Sequence, residues 1–86
     1  MGYLLTEDEI LGKRVCRARR DTLYTQVDLA RKLSISSSQL YKFEKGKNRI
    51  PAIVLYNIAI LCNRKLDWFF EDFKPHVTDA SRKNRQ

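Results

Sequence analysis

The chain has 86 residues, 43% of them hydrophobic and 31% charged, which is the make-up of one small soluble domain and excludes a wholly disordered segment. Seventeen Lys and Arg against ten Asp and Glu leave a formal net charge of +7, which points either to an anionic partner, nucleic acid or an acidic membrane, or simply to a solubilising surface. Cys16 and Cys62 lack C-x-x-C spacing and His76, the one histidine, lies in a polar tail, so a disulfide scaffold and a zinc site are excluded and a reducing compartment is expected.

Thr6 and Glu9 form a T-x-x-E capping box, followed by Leu11, Val15, Ala18 and Thr22 at four-and-three spacing, which predicts a first helix. Thr25 and Asp28 offer a second cap before Val27, Ala30 and Leu33, and "SISSS" then interrupts the chain; the second helix is predicted to last about two turns. Ser36 and Gln39 make a third box, S-x-x-Q, with Leu40 and Phe43 following on one face until Gly46 stops the helix. Pro51 suits the first turn of a fourth helix. Ile53, Val54, Leu55, Ile58, Ala59, Leu61 and Cys62 surround much of it, so it is predicted to be the central, most buried element. Asn63 can end it in a left-handed conformation, and Asp67 can cap a last helix in "WFFEDF". Trp68, Phe69, Phe70 and Phe73 are too many large aromatics for so small a domain to hide, and a dimer interface is expected there. The expected organisation is a folded domain over 1–74 and a disordered basic tail over 75–86.

The longest apolar run, "IPAIVLYNIAIL", contains proline and asparagine and falls short of the roughly 20 residues that a membrane span needs. The N-terminus turns acidic without a basic region. No membrane association is expected, and a cytoplasmic location is. No nucleophile, base and orienting group are assembled and no glycine-rich phosphate loop is present, so neither an enzyme, a cofactor nor a small-molecule substrate is expected.

The second and third helices, joined by a tight turn, make the arrangement that places a second helix in the DNA major groove. The segment "TQVDLARKLSISSSQLYKFEKGKNRIP" resembles the helix-turn-helix of the phage repressor and Cro group, the XRE family, with Thr25, Gln26, Leu29, Ala30, Leu33, Ser36, Leu40, Glu44, Gly46 and Pro51 in register. The likeness covers about residues 10 to 73. It implies a compact all-α, five-helix, lambda-repressor-like fold with the helix-turn-helix at helices two and three. Two positions depart from the family: Leu23 stands where a glycine is common, and Arg64 where an apolar residue is usual.

The resemblance also distributes roles. Thr25 and Gln26 fall where the family contacts phosphate at a helix N-terminus, and Lys45, Lys47, Asn48 and Arg49 follow the third helix where the chain would run along the DNA backbone. Ser37, Ser38 and Lys42 match base-reading positions, with Gln39 and Tyr41 flanking them. The two serines either reach base edges or merely complete the cap; Tyr41 either meets a thymine methyl or a phosphate, or lies against Lys45. Lys42 is suited to guanine O6 or N7. Arg19 and Glu44 correspond to an ion pair that orients the recognition helix. The implied function is sequence-specific transcriptional regulation by a homodimer on a palindromic operator in double-stranded DNA, with half-sites about 34 Å apart. A phage-type repressor, a restriction-modification controller and an antitoxin all fit. A different class, a protein-interaction module using the aromatic C-terminal helix, would bind a protein partner there and touch DNA only incidentally.

Overall fold

The computed structural model describes residues 4–73; the predicted disordered tail lies outside them. Four α-helices are present among these residues, α1 (Glu7–Asp21), α2 (Gln26–Leu33), α3 (Ser37–Glu44) and α4 (Ala52–Leu61), followed by a short 3₁₀ helix at Leu66–Phe70, and there is no strand. The fifth expected helix is therefore a 3₁₀ turn. Lys65 occupies its cap position and makes no side-chain cap bond, so Asp67 does not cap it as expected.

Local chemistry sets each boundary. Thr6 and Glu9 close a full capping box on α1, and Thr25 and Asp28 close one on α2. The Asp28 carboxyl, which accepts the Thr25 backbone N–H at 3.1 Å with the Thr25 hydroxyl beside it, is held below the usual carboxylate range. Ser36 caps α3 by accepting the Gln39 N–H at 3.0 Å. Ser34 ends α2 and Asn63 follows α4, both with positive φ, while Gly46 at φ 72° turns the chain after α3 against Glu9, whose Cα a side chain at position 46 would meet at 2.6 Å.

Leu23 also has a positive φ, 66°, in the turn between α1 and α2, at the family's common glycine position. A left-handed conformation costs a side chain about 1–2 kcal/mol, and Leu23 recovers none of it by packing, being 88% exposed. Leu23→Gly is expected to raise stability by about 0.5–1 kcal/mol, the gain being trimmed by glycine's larger unfolded-state entropy. Thermal unfolding checks this: a midpoint several degrees higher is the expected result, and a lower one would show that Leu23 has a packing role.

The core joins Val15 and Ala18 of α1, Leu29 and Ala30 of α2, Leu40 and Phe43 of α3, Leu55, Ile58 and Ala59 of α4, and Phe69. Burial also pushes the Cys62 thiol up. The prediction that α4 is the most buried element does not hold. Leu55, Ile58 and Ala59 face inward, but Ile53, Tyr56 and Ile60 are 66%, 52% and 58% exposed, so α4 is apolar all round yet covered on one side only. The four aromatics expected at a dimer face also separate: Phe69 is fully buried and belongs to the core, Trp68 and Phe73 are partly buried against it, and only Phe70 is exposed.

The aromatic end is closed by cations. Arg14, itself buried, places its guanidinium 3.8 Å from the Trp68 ring centroid, donates to the Trp68 carbonyl and pairs with Glu71 at 2.9 Å. Arg64 lies 4.2 Å from the same ring and pairs with Asp21. The polar residue at a usually apolar position is thus accommodated by a ring and a carboxylate.

Candidate nucleic-acid interface

Helices α2 and α3 pack on each other with Leu29, Ala30 and Leu40 buried in the shared core, and this leaves the opposite side of α3 to solvent. Ser37, Ser38, Tyr41, Lys42 and Lys45 are all exposed there, at the spacing of one helical face, while Leu40, Phe43 and Glu44 point inward. Because Ser36 makes the cap bond, the hydroxyls of Ser37 and Ser38 are not consumed by it. Gln39 is half-buried beside them.

The position of this face depends on a buried polar cluster behind it. Arg19 reaches from α1 and grips Glu44 through both carboxylate oxygens, Nε to Oε2 at 2.6 Å and Nη2 to Oε1 at 3.1 Å. Two further donors go to the Tyr24 carbonyl at 2.9 Å and the Cys16 sulfur at 3.6 Å. The side chains of Arg19 and Glu44 are only 10% and 3% exposed, and the carboxylate it holds raises the Arg19 pKa above its ordinary value. One cluster therefore ties α1, the α1–α2 turn and the C-terminal end of α3 together.

Gln26 completes this cluster: its Nε2 donates to Glu44 Oε1 at 2.9 Å. The resemblance implies a phosphate contact for this residue, with an ordinary exposed helix position as the alternative, and neither reading includes this bond. An amide nitrogen carries two N–H groups, so holding Glu44 uses one and leaves a second donor on Gln26. Thr25, beside it, uses its hydroxyl for the α2 cap.

Beyond α3 the basic loop is less free than its sequence suggests. Arg49 pairs with Asp8 of α1 at 3.0 Å, while Lys45 and Lys47 lie with their ammonium groups 5.7 and 6.0 Å from the Tyr41 ring. Lys47 and Asn48 are exposed. Tyr41 does lie against Lys45 and is still 42% exposed.

Sequence reasoning missed Gly12. It is buried in the middle of α1, where an added Cβ would strike the Glu44 carbonyl and lie 2.5 Å from the Phe43 carbonyl oxygen. The α1–α3 crossing is that close. A glycine inside a helical pattern was the available signal.

Residues 17–69 match the model of the helix-turn-helix family. The chain belongs to that family, in its XRE branch. Its relatives include a Rhodospirillum rubrum protein named as an uncharacterized transcriptional regulator in the ATPase CF(0) region, 39% identical over 78% of this chain and 62% of its own length. A Sinorhizobium medicae protein named as an uncharacterized HTH-type transcriptional regulator is 41% identical over 86% of this chain and 58% of its own. This helix-turn-helix chain thus spans about three-fifths of the length of these relatives. The crystal structure of the clp gene regulator ClgR from C. glutamicum has the same fold, with a TM-score of 0.73 over 78% of this chain and 87% of that one at 19% identity. Among the described residues no group of side chains is suited to hold a metal ion, and no helix is long and apolar enough to cross a membrane.

Proposed function

We propose that this protein is a sequence-specific DNA-binding transcriptional regulator that inserts α3 into the major groove. The observation that carries this reading is the exposed face of α3, where Ser37, Ser38, Tyr41 and Lys42 stand free of the core on a helix clamped from behind by Arg19, Glu44 and Gln26. Ser37, Ser38 and Lys42 read base edges, Lys42 by donating to guanine, with Gln39 and Tyr41 at their flanks. Thr25, Gln26, Lys45, Lys47, Asn48 and Arg49 hold phosphates on either side and set the register. For Arg49 this requires sharing its guanidinium with Asp8 or leaving it.

Two copies act together on a palindromic operator in this reading. The aromatic end assigned to the dimer by sequence is largely occupied within the monomer, so we place self-association on the outer face of α4. Ile53, Tyr56 and Ile60 recur there at helical spacing, and the helix carries no charge from Ala52 to Leu61, which lets two strongly basic chains meet without like-charge contact. Ile60→Glu is expected to weaken self-association at least about tenfold in sedimentation equilibrium, from the cost of juxtaposing like charges, with helix content unchanged. An unaltered equilibrium would move the interface elsewhere, Phe70 being the first alternative.

Selection from a randomised DNA pool at fixed salt, with wild type and Lys42→Ala in parallel, tests the function. A two-fold motif that loosens at one position in the variant, with a cost of about 1–3 kcal/mol at that base pair, is the expected outcome. Enrichment of nothing, with weak binding abolished by salt, would leave electrostatic attraction alone and favour a protein-interaction module.

A further inference from the structure

Lys13, Arg14, Arg17, Arg19 and Arg20 give α1 five cations, and the fold uses only two of them: Arg14 and Arg19 are buried in ion pairs. Lys13, Arg17 and Arg20 remain exposed, at i, i+4 and i+7, which is one stripe on the helix. Other arginines on the surface find carboxylates, Arg31 with Asp28, Arg49 with Asp8 and Arg64 with Asp21. These three make no ion pair among the described residues; Arg17 only approaches the Trp68 ring, at 5.9 Å.

The stripe forms one wall of an open groove of about 760 Å³, and Gln26, Tyr41 and Lys45 line the same groove from the helix-turn-helix side. Three carboxylates also border it, and each is already engaged. Glu44 is held by Arg19 and Gln26, Glu9 accepts the Thr6 N–H at 2.8 Å, and Asp21 is paired with Arg64. The groove therefore presents Lys13, Arg17, Arg20 and Lys45 outside any ion pair among the described residues, against the one bordering carboxylate, Glu9, that no cation holds. Gathering like charges around a concave surface costs repulsion and contributes nothing to the core, so the arrangement suits an anion with several charges in a row.

We propose that this groove seats a stretch of DNA backbone, with Lys13, Arg17 and Arg20 contacting phosphates next to those held by Gln26 and Lys45. The inference rests on the DNA-binding reading and extends its footprint from the helix-turn-helix to the first helix. Phosphate contacts of this kind add affinity and salt dependence and leave sequence preference untouched.

The test is binding of the full chain to its selected site over a salt series, for wild type, K13Q/R17Q/R20Q and, as a control, Lys65→Gln, which alters an exposed cation that does not line the groove. The triple variant is expected to lose about 2 to 3 from the slope of log K against log salt, about 0.9 for each phosphate released, with an unchanged ratio of selected to scrambled affinity and an unchanged melting temperature. Lys65→Gln should keep the wild-type slope. A wild-type slope in the triple variant would overturn the proposal while leaving sequence-specific binding intact, whereas a wild type without any sequence preference would remove both readings. Micromolar binding of pyrophosphate at constant ionic strength, lost in the triple variant, would assign the groove to a free phosphorylated ligand and also overturn it.

Discussion

Arg19→Ala is expected to cost this domain about 3–5 kcal/mol of stability, the penalty for stranding a buried carboxylate. Glu44 would lose its bidentate partner and keep a single neutral donor, the Gln26 amide. At about 4–8 °C per kcal/mol for a domain of this size, the melting temperature should fall by 12 °C or more on that scale, roughly. Thermal denaturation followed by circular dichroism measures it, and a loss of under about 1 kcal/mol would mean that water reaches Glu44 freely.

A second substitution separates stability from geometry. Replacing both partners, Arg19→Met with Glu44→Leu, removes two desolvated charges together and is expected to recover most of the lost stability, since apolar isosteres of buried ion pairs are often neutral or better. DNA affinity should not recover with it. Gln26 would lose the carboxylate that orients its amide, and Arg19 would no longer tie α1 to the Tyr24 carbonyl. Recovery of both properties would show that the cluster is dispensable for placing α3.

Gly12→Ala is the other large effect. The methyl group would meet the backbone of Phe43 and Glu44, its contact with the Glu44 carbonyl carbon being 2.8 Å, and backbone at a helix end cannot yield as a side-chain tip can. Either α1 shifts away from α3 or the last turn of α3 distorts, and overpacking of this kind costs about 1–3 kcal/mol or more. The gain in helix propensity from alanine, about 1 kcal/mol at most, works against this loss without cancelling it. Because the shift acts at Glu44, DNA binding should weaken with stability. Chemical denaturation gives the first quantity, and a stabilised Gly12→Ala variant would contradict the close crossing.

Much of this architecture is written in short-range chemistry. The Thr6, Thr25 and Ser36 caps start three helices where they are expected, the Ser36 box with only its hydroxyl bond; Asn63 takes the left-handed conformation expected of it, and Gly46 stops α3 as expected, in a left-handed conformation of its own. What was not legible depends on long-range packing. Nothing in "AIVLYNIAIL" says which apolar side chains of α4 are covered, because a helix that is apolar all round has no preferred face. Phe69 is indistinguishable by type from Phe70, yet one is in the core and the other on the surface.

The site divides in the same way. The solvent face of α3 follows from helical period alone, whereas the Gln26–Glu44 bond and the groove along Lys13, Arg17 and Arg20 join residues from separate helices and exist only after folding. The basic stripe of α1 reads as a solvated surface until the partners of the neighbouring arginines are known.

The central claim is that the exposed face of α3 reads sequence, and the most direct measurement is the ratio of affinities for the selected site and a scrambled site of equal length at physiological salt, by fluorescence anisotropy. A ratio of about 10³ or greater is the result this account predicts. A ratio near one, with both affinities falling together as salt rises, would contradict it and reduce the interface to attraction between a basic protein and phosphate.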